Sequence, residues 1–105
     1  MTALKILTDG SKWVVEIAGT TISEQNASIR DHIGGFMEAL TIAQDAVILV
    51  DEDGLYKRLS YNRAASDIAE QDMVGPALIV GLIGTEEGEW TFGDCPRRYL
   101  EGIAC

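Results

Sequence analysis

Seventeen carboxylates, eight lysines and arginines, one histidine and two cysteines are the side chains with which this 105-residue chain could do chemistry. A Ser-His-Asp or Cys-His device would have to be built on His32, which falls at the end of a predicted helix with no companion at diagnostic spacing. Cys95 and Cys105 stand ten residues apart, the second at the extreme C-terminus, and match no zinc-ligand pattern. Asp51-Glu52-Asp53-Gly54 looks like a fragment of a calcium loop, but the preceding ligand repeat and the closing glutamate are missing. Glu38 with Asp51 could form a carboxylate pair for acid–base hydrolysis. In so acidic a chain, however, any such pairing arises easily by chance. No G-x-G-x-x-G, GK[ST] or G-x-S-x-G pattern occurs. The sequence therefore predicts a non-enzymatic protein with no catalytic residues, no metal and no cofactor.

Two apolar runs set the frame around these groups. Val47-Ile48-Leu49-Val50 and Ala77-Leu78-Ile79-Val80 are hydrophobic on both faces, as only strands covered on both sides can be. They are expected to pair with each other at the centre of a sheet. Asp51 to Gly54 reads as an acidic turn, with Gly54 supplying a positive φ. Leu55, Lys57 and Leu59 alternate with Tyr56 and Arg58 as a half-buried returning strand.

Upstream, Ala3–Leu7 and Lys12–Ile17 are β-prone runs on either side of Asp9-Gly10, a hairpin signal. Thr21 and Glu24 have capping-box spacing, and Ile22, Ile29 and Ile33 share one face of the helix that follows. Gly34 ends that helix as a left-handed cap. The Gly34-Gly35 pair could cradle a phosphate, but it lies between helix and strand, the reverse of the order that aims amides at an anion.

Phe36 to Ile42 reads as a strand whose Phe36, Leu40 and Ile42 face is the more apolar. Glu38 shares that face, so it sits either at the sheet margin or against a cation, with Arg58 and Arg63 the natural partners. Ser60 or Asn62 can cap a small-residue helix carrying Ala64, Ala65, Ile68 and Ala69. Arg63 opens that helix at its positive end, which calls for an acidic partner, Glu38 or one of Asp51 to Asp53. Asp94-Cys95-Pro96 starts a short C-terminal helix, with proline in its first position. The assembled expectation is one domain over residues 1–105. Its class is α+β: a mostly antiparallel sheet of five to seven strands, two main helices and a short C-terminal one.

The net charge of −9 bears on partners. Such a surface repels nucleic acid and anionic membranes and attracts basic protein surfaces. Asp51, Glu52 and Asp53 form one acidic run, Glu86, Glu87 and Glu89 another, and Tyr56, Trp90 and Phe92 are aromatic anchors beside them. These nine residues are the candidate partner-binding set. The alternative is a small-molecule pocket lined by Glu38, Arg58, Tyr61, Asn62 and Arg63. The longest apolar run, Ala77 to Ile83, falls well short of the roughly 20 residues of a spanning helix. No secretory signal opens the sequence, so a soluble cytoplasmic protein is expected. Two strands apolar on both faces, with Trp90 and Phe92 on a loop, also predict a homodimer closing over residual apolar surface.

Four blocks carry a resemblance: Ile33-Gly34-Gly35-Phe36-Met37-Glu38, Ile48-Leu49-Val50-Asp51-Glu52-Asp53-Gly54, Leu59-Ser60-Tyr61-Asn62-Arg63-Ala64-Ala65 and Met73-Val74-Gly75-Pro76-Ala77-Leu78-Ile79-Val80-Gly81. In this order and spacing they resemble a small family of unknown function carried mostly by phages, plasmids and other bacterial mobile elements. Pro76 stands where that family usually has threonine or another plain residue. The resemblance spans Ile33 to Gly81 and leaves the tail with Trp90 outside. It brings no catalytic residue. It implies an accessory protein of a mobile element, a class rich in inhibitors of host defence. The two readings are then an inhibitor docking on a basic, nucleic-acid-binding surface of a host protein, and a protein that sequesters a nucleotide immune signal.

Overall fold

The computed structural model describes residues 1–103. Its elements run β1 (Thr2–Ile6), β2 (Lys12–Glu16), α1 (Ile22–Ile33), β3 (Met37–Ala43), β4 (Ala46–Asp51), α2 (Arg63–Ala69), β5 (Ala77–Gly84), β6 (Trp90–Gly93) and α3 (Arg97–Leu100). The strands form one antiparallel sheet in the order β2-β1-β5-β4-β3, with β6 also beside β5. This is an α+β fold with six strands and three helices among the described residues.

Both apolar runs are central strands, and they pair with each other from Ala46 opposite Gly81 to Leu49 opposite Leu78. Every residue of β4 is buried. On one face Leu4, Ile6, Ile48, Val50 and Ile79 meet Ala65 and Met73, with Ile68 and Tyr99 packed alongside. On the other, Ala3, Val47, Leu49, Leu78 and Val80 meet Ile29 and Ile33 of α1. Each fully buried aliphatic side chain contributes about 1.5–3 kcal/mol, so the doubly covered pair β4–β5 is the stable centre of the molecule.

β1 and β6 share one edge of β5. β1 pairs with Ala77 to Ile79, and β6 with Gly81 to Gly84. They meet where Thr2 N–H donates to Asp94 Oδ1 at 2.9 Å and Cys95 N–H donates to Thr2 O at 2.8 Å.

Helix α1 is closed at both ends as its sequence predicts. Thr21 Oγ1 accepts from Glu24 N–H at 3.1 Å, and Glu24 Oε1 accepts from Thr21 N–H at 3.1 Å. Gly34 takes φ 89°, and its N–H donates to Arg30 O at 2.7 Å. Ile22 departs from expectation, being exposed while Ile29 and Ile33 are buried. It stands about 10 Å up the helix from Ile29. There it overhangs a groove bordered by Met37, Trp90 and Phe92 and misses the packed core.

Four further expectations are corrected. Residues 55–59 form turns and no strand: Lys57 N–H donates to Asp53 O at 2.8 Å and Leu59 N–H to Gly54 O at 3.0 Å. The positive φ in that turn belongs to Arg58 and not to Gly54. Glycine serves at 54 for close approach, since a Cβ there would lie 2.8 Å from Val74 Cγ2. Phe36 precedes β3 and is exposed, with the Arg30 guanidinium 5.2 Å from its ring centre. Pro96 flanks α3 and does not begin it. No described helix is long and apolar enough to cross a membrane.

Candidate functional site

The acidic turn divides into one buried carboxylate and two exposed ones. Asp51 ends β4 with its side chain only 1% exposed. The Lys57 ammonium donates to its Oδ2 at 2.6 Å, and Asp53 N–H to its Oδ1 at 2.9 Å. Lys57 also donates to Gly34 O at 3.2 Å, tying the turn to the end of α1. Gly35 completes the clamp, because a Cβ there would come within 2.7 Å of the Asp51 carboxylate. The Lys57 hydrogen bond outweighs burial and holds the Asp51 carboxyl below its ordinary value. Asp51 therefore organises the turn from inside and cannot face a partner. Glu52 and Asp53 remain exposed, and Tyr56 projects with 90% of its surface free.

The five residues of the alternative pocket are not brought together. Asn62 is fully buried and fully used. Its Oδ1 accepts from Ala65 N–H at 3.0 Å, capping α2, while Nδ2 donates to Ile6 O at 3.0 Å and Gly75 O at 2.9 Å. Arg63 points outward and reaches Asp67 at 3.8 Å, one turn along α2, and neither Glu38 nor the 51–53 run. Tyr61 donates to Asp72 at 3.4 Å. Glu38 is exposed on edge strand β3 and lines a cavity of about 180 Å³ with Leu40, Val50, Glu52, Asp72 and Met73. That cavity is walled by carboxylates and holds neither Arg58 nor Arg63, so an anionic nucleotide is repelled there.

The second acidic run and its aromatic neighbours do converge. Thr85 to Glu89 close the β5–β6 hairpin through Thr85 N–H to Glu89 O at 2.8 Å and Gly88 N–H to Thr85 O at 3.0 Å. Glu86, Glu87 and Glu89 are all exposed at this tip. Trp90 stands opposite Gly84 with its ring over that residue, and it is 64% exposed. Phe92, half-buried, stands opposite Leu82.

Trp90 and Phe92 border a groove with Ile22, Asn26 and Met37, and a neighbouring groove joins Ile22 and Met37 to Phe36, Arg30 and Glu52. An apolar band thus runs from Phe36 to Trp90 across one sheet face, with Glu52 at one end and the hairpin carboxylates at the other. Ile22, Phe36 and Arg30 are additions to the predicted set. Their apolar periodicity marked Ile22 and Phe36 as core, and only their distance from the buried centre distinguishes them.

Cys95 and His32 lie apart from this surface band. Cys95 is buried, which pushes its thiol up to about 11, far from the thiolate that attack requires. Cys105 lies outside the described residues. His32 Nδ1 faces the Lys5 ammonium at 3.2 Å, and partial burial together with Lys5 lowers its pKa, keeping the ring neutral. Among the described residues no group of three His, Cys, Asp or Glu side chains could hold a metal ion.

Fold and surface together define a small α+β protein whose distinguishing feature is an apolar band between acidic ends. The chain belongs to the DUF3846 family, a domain of unknown function, whose model matches residues 1–101. The match extends well beyond Ile33 to Gly81 and takes in the hairpin with Trp90. Neither the curated proteins nor the solved structures include a match to the chain.

Proposed function

We propose that this protein is a non-enzymatic binding protein that docks through the Trp90 hairpin and its apolar band on a basic surface of another protein. The observation that carries this reading is the placement of Glu86, Glu87 and Glu89 directly beside an exposed tryptophan. Tryptophan is among the commonest energetic anchors of interfaces, and flanking carboxylates speed encounter with a cationic surface. In the mobile-element setting, the partner is a nucleic-acid-binding protein of host defence, and occupying its basic surface inhibits it.

The test begins with the immobilised full chain, a host lysate and, in parallel, mass spectrometry of co-purifying small molecules. With the captured protein in hand, changing Glu86, Glu87 and Glu89 to Gln is expected to slow association and flatten its salt dependence. Folding changes little, because the hairpin tip is exposed. An unchanged association rate removes the hairpin from the interface. A co-purifying nucleotide with no protein partner would favour sequestration of a small molecule.

A further inference from the structure

One face of the sheet carries two helices and the other carries one. α2 and α3 pack with the cluster of Leu4, Ile48 and Ile79, whereas α1 alone packs on the cluster of Val47, Leu49 and Val80. The strand register places Ala39 and Thr41 of β3, Leu82 and Gly84 of β5, and Trp90 and Phe92 of β6 on this second face. Ala39, Thr41, Gly84 and Trp90 are exposed, so a quadrant of the sheet beside α1 lacks a cover. An open groove of about 1010 Å³ lies over Thr41, Leu82, Gly84 and Trp90, and the groove under Ile22 adjoins it at Trp90.

Resting on the docking reading above, we infer that this quadrant receives a cationic amphipathic helix of the partner protein, laid on the sheet beside α1. A sheet face offers side chains and no free backbone edge, so an added strand would leave its amides unpaired. A helix brings its own backbone hydrogen bonds. Thr41 and Ala39 are small enough to let a helix approach the sheet, and Trp90, its ring over Gly84, stands as a wall for its apolar residues. The helix is cationic because Glu86, Glu87 and Glu89 stand at the hairpin tip next to Trp90 and Asp45 lines the same groove. A second copy of this chain is disfavoured by charge, since each molecule brings −9 to the contact.

The full chain carrying Trp13→Phe leaves Trp90 as its only indole. The probes are three peptides of about 18 residues, roughly 27 Å as helix. The first has Leu at helical spacing with Lys between; the second has the same composition interrupted by two central prolines; the third replaces Lys with Glu. The Lys/Leu helix is expected to shift Trp90 emission to the blue saturably and to gain helicity. Its affinity is expected to fall about tenfold or more when the exposed Thr41 becomes Arg. Thr41→Lys serves as a second variant, each checked for a native melting temperature. Equal binding of the proline-interrupted peptide, or no effect of either Thr41 variant, overturns the helix and leaves basic-surface docking intact. No binding by any peptide also overturns it, with the docking reading then judged by the association rate of the hairpin variant. Equal binding of the Glu peptide defeats both.

Discussion

Asn62 is the residue on which most of the architecture turns. It holds three backbone groups with one side chain: the α2 N-terminus at Ala65, the end of β1 at Ile6, and the approach to β5 at Gly75. Asn62→Ala removes the cap and takes a donor from two buried carbonyls, and is expected to lower stability by about 2–4 kcal/mol in denaturant unfolding. Asn62→Asp keeps the shape and the acceptor but points a carboxylate at those carbonyls. It is expected to be at least as damaging, and a neutral result would deny the hub.

Lys57 is the counterpart on the acidic turn. Lys57→Met strips a buried carboxylate of its cation and should cost about 1–3 kcal/mol at pH 7. The Asp51 pKa is depressed in the folded chain, so its contribution is present above the ordinary 3.8 and is lost as pH falls through the folded value. Stability curves of the parent and the variant should therefore converge as pH falls toward and then below that range. A gap that persists in acid would assign the loss to packing of the lysine stem. The capping role was legible only as a choice between Ser60 and Asn62, since either side chain can accept from a first-turn amide, and the fold assigns it to Asn62. Its two donor contacts were not, since both acceptors are backbone groups distant in sequence.

At the scale of elements, the sequence was clearest where the physics is local or all-apolar. Val47–Val50 and Ala77–Val80 admit no other placement, and the Thr21/Glu24 box with Gly34 closes α1 through neighbouring groups alone. Misreading began where alternation imitates a strand. Leu55, Lys57 and Leu59 have the right period, yet Lys57 is drawn to Asp51 and Leu59 packs against Gly75, so the chain coils on itself.

The Glu38–Arg63 pair failed for a related reason. Period placed Glu38 on a core-facing side correctly, but β3 is an edge strand and that position opens to solvent. Glu38→Gln, which would have broken a buried pair, is now expected to change stability by less than about 0.5 kcal/mol, as surface substitutions do. A loss of several times that in chemical denaturation would restore a hidden partner. The hairpin half of the candidate site was readable from charge and aromatics. Ile22 and Phe36 were not, because hydrophobic pattern reports which way a side chain faces and not what stands opposite.

For the molecule as a whole, charge and the uncovered quadrant pull in opposite directions, and salt separates them. Self-association over Trp90 would bury the residual apolar surface that the composition anticipated, but it brings together two copies of −9 with their hairpin carboxylates close by. Added salt screens that repulsion, with a Debye length falling from about 10 Å at 0.1 M to about 3 Å at 1 M. A homodimer through this face should therefore grow with salt in light scattering, from 11.4 kDa toward twice that mass, and Trp90→Ala should abolish the growth. Binding to a cationic partner must show the reverse slope, strongest at low salt and weakened by the same additions. A dimer present at low salt and indifferent to Trp90→Ala would place the self-contact elsewhere. The quadrant would then remain free for the partner, and the two equilibria would cease to compete.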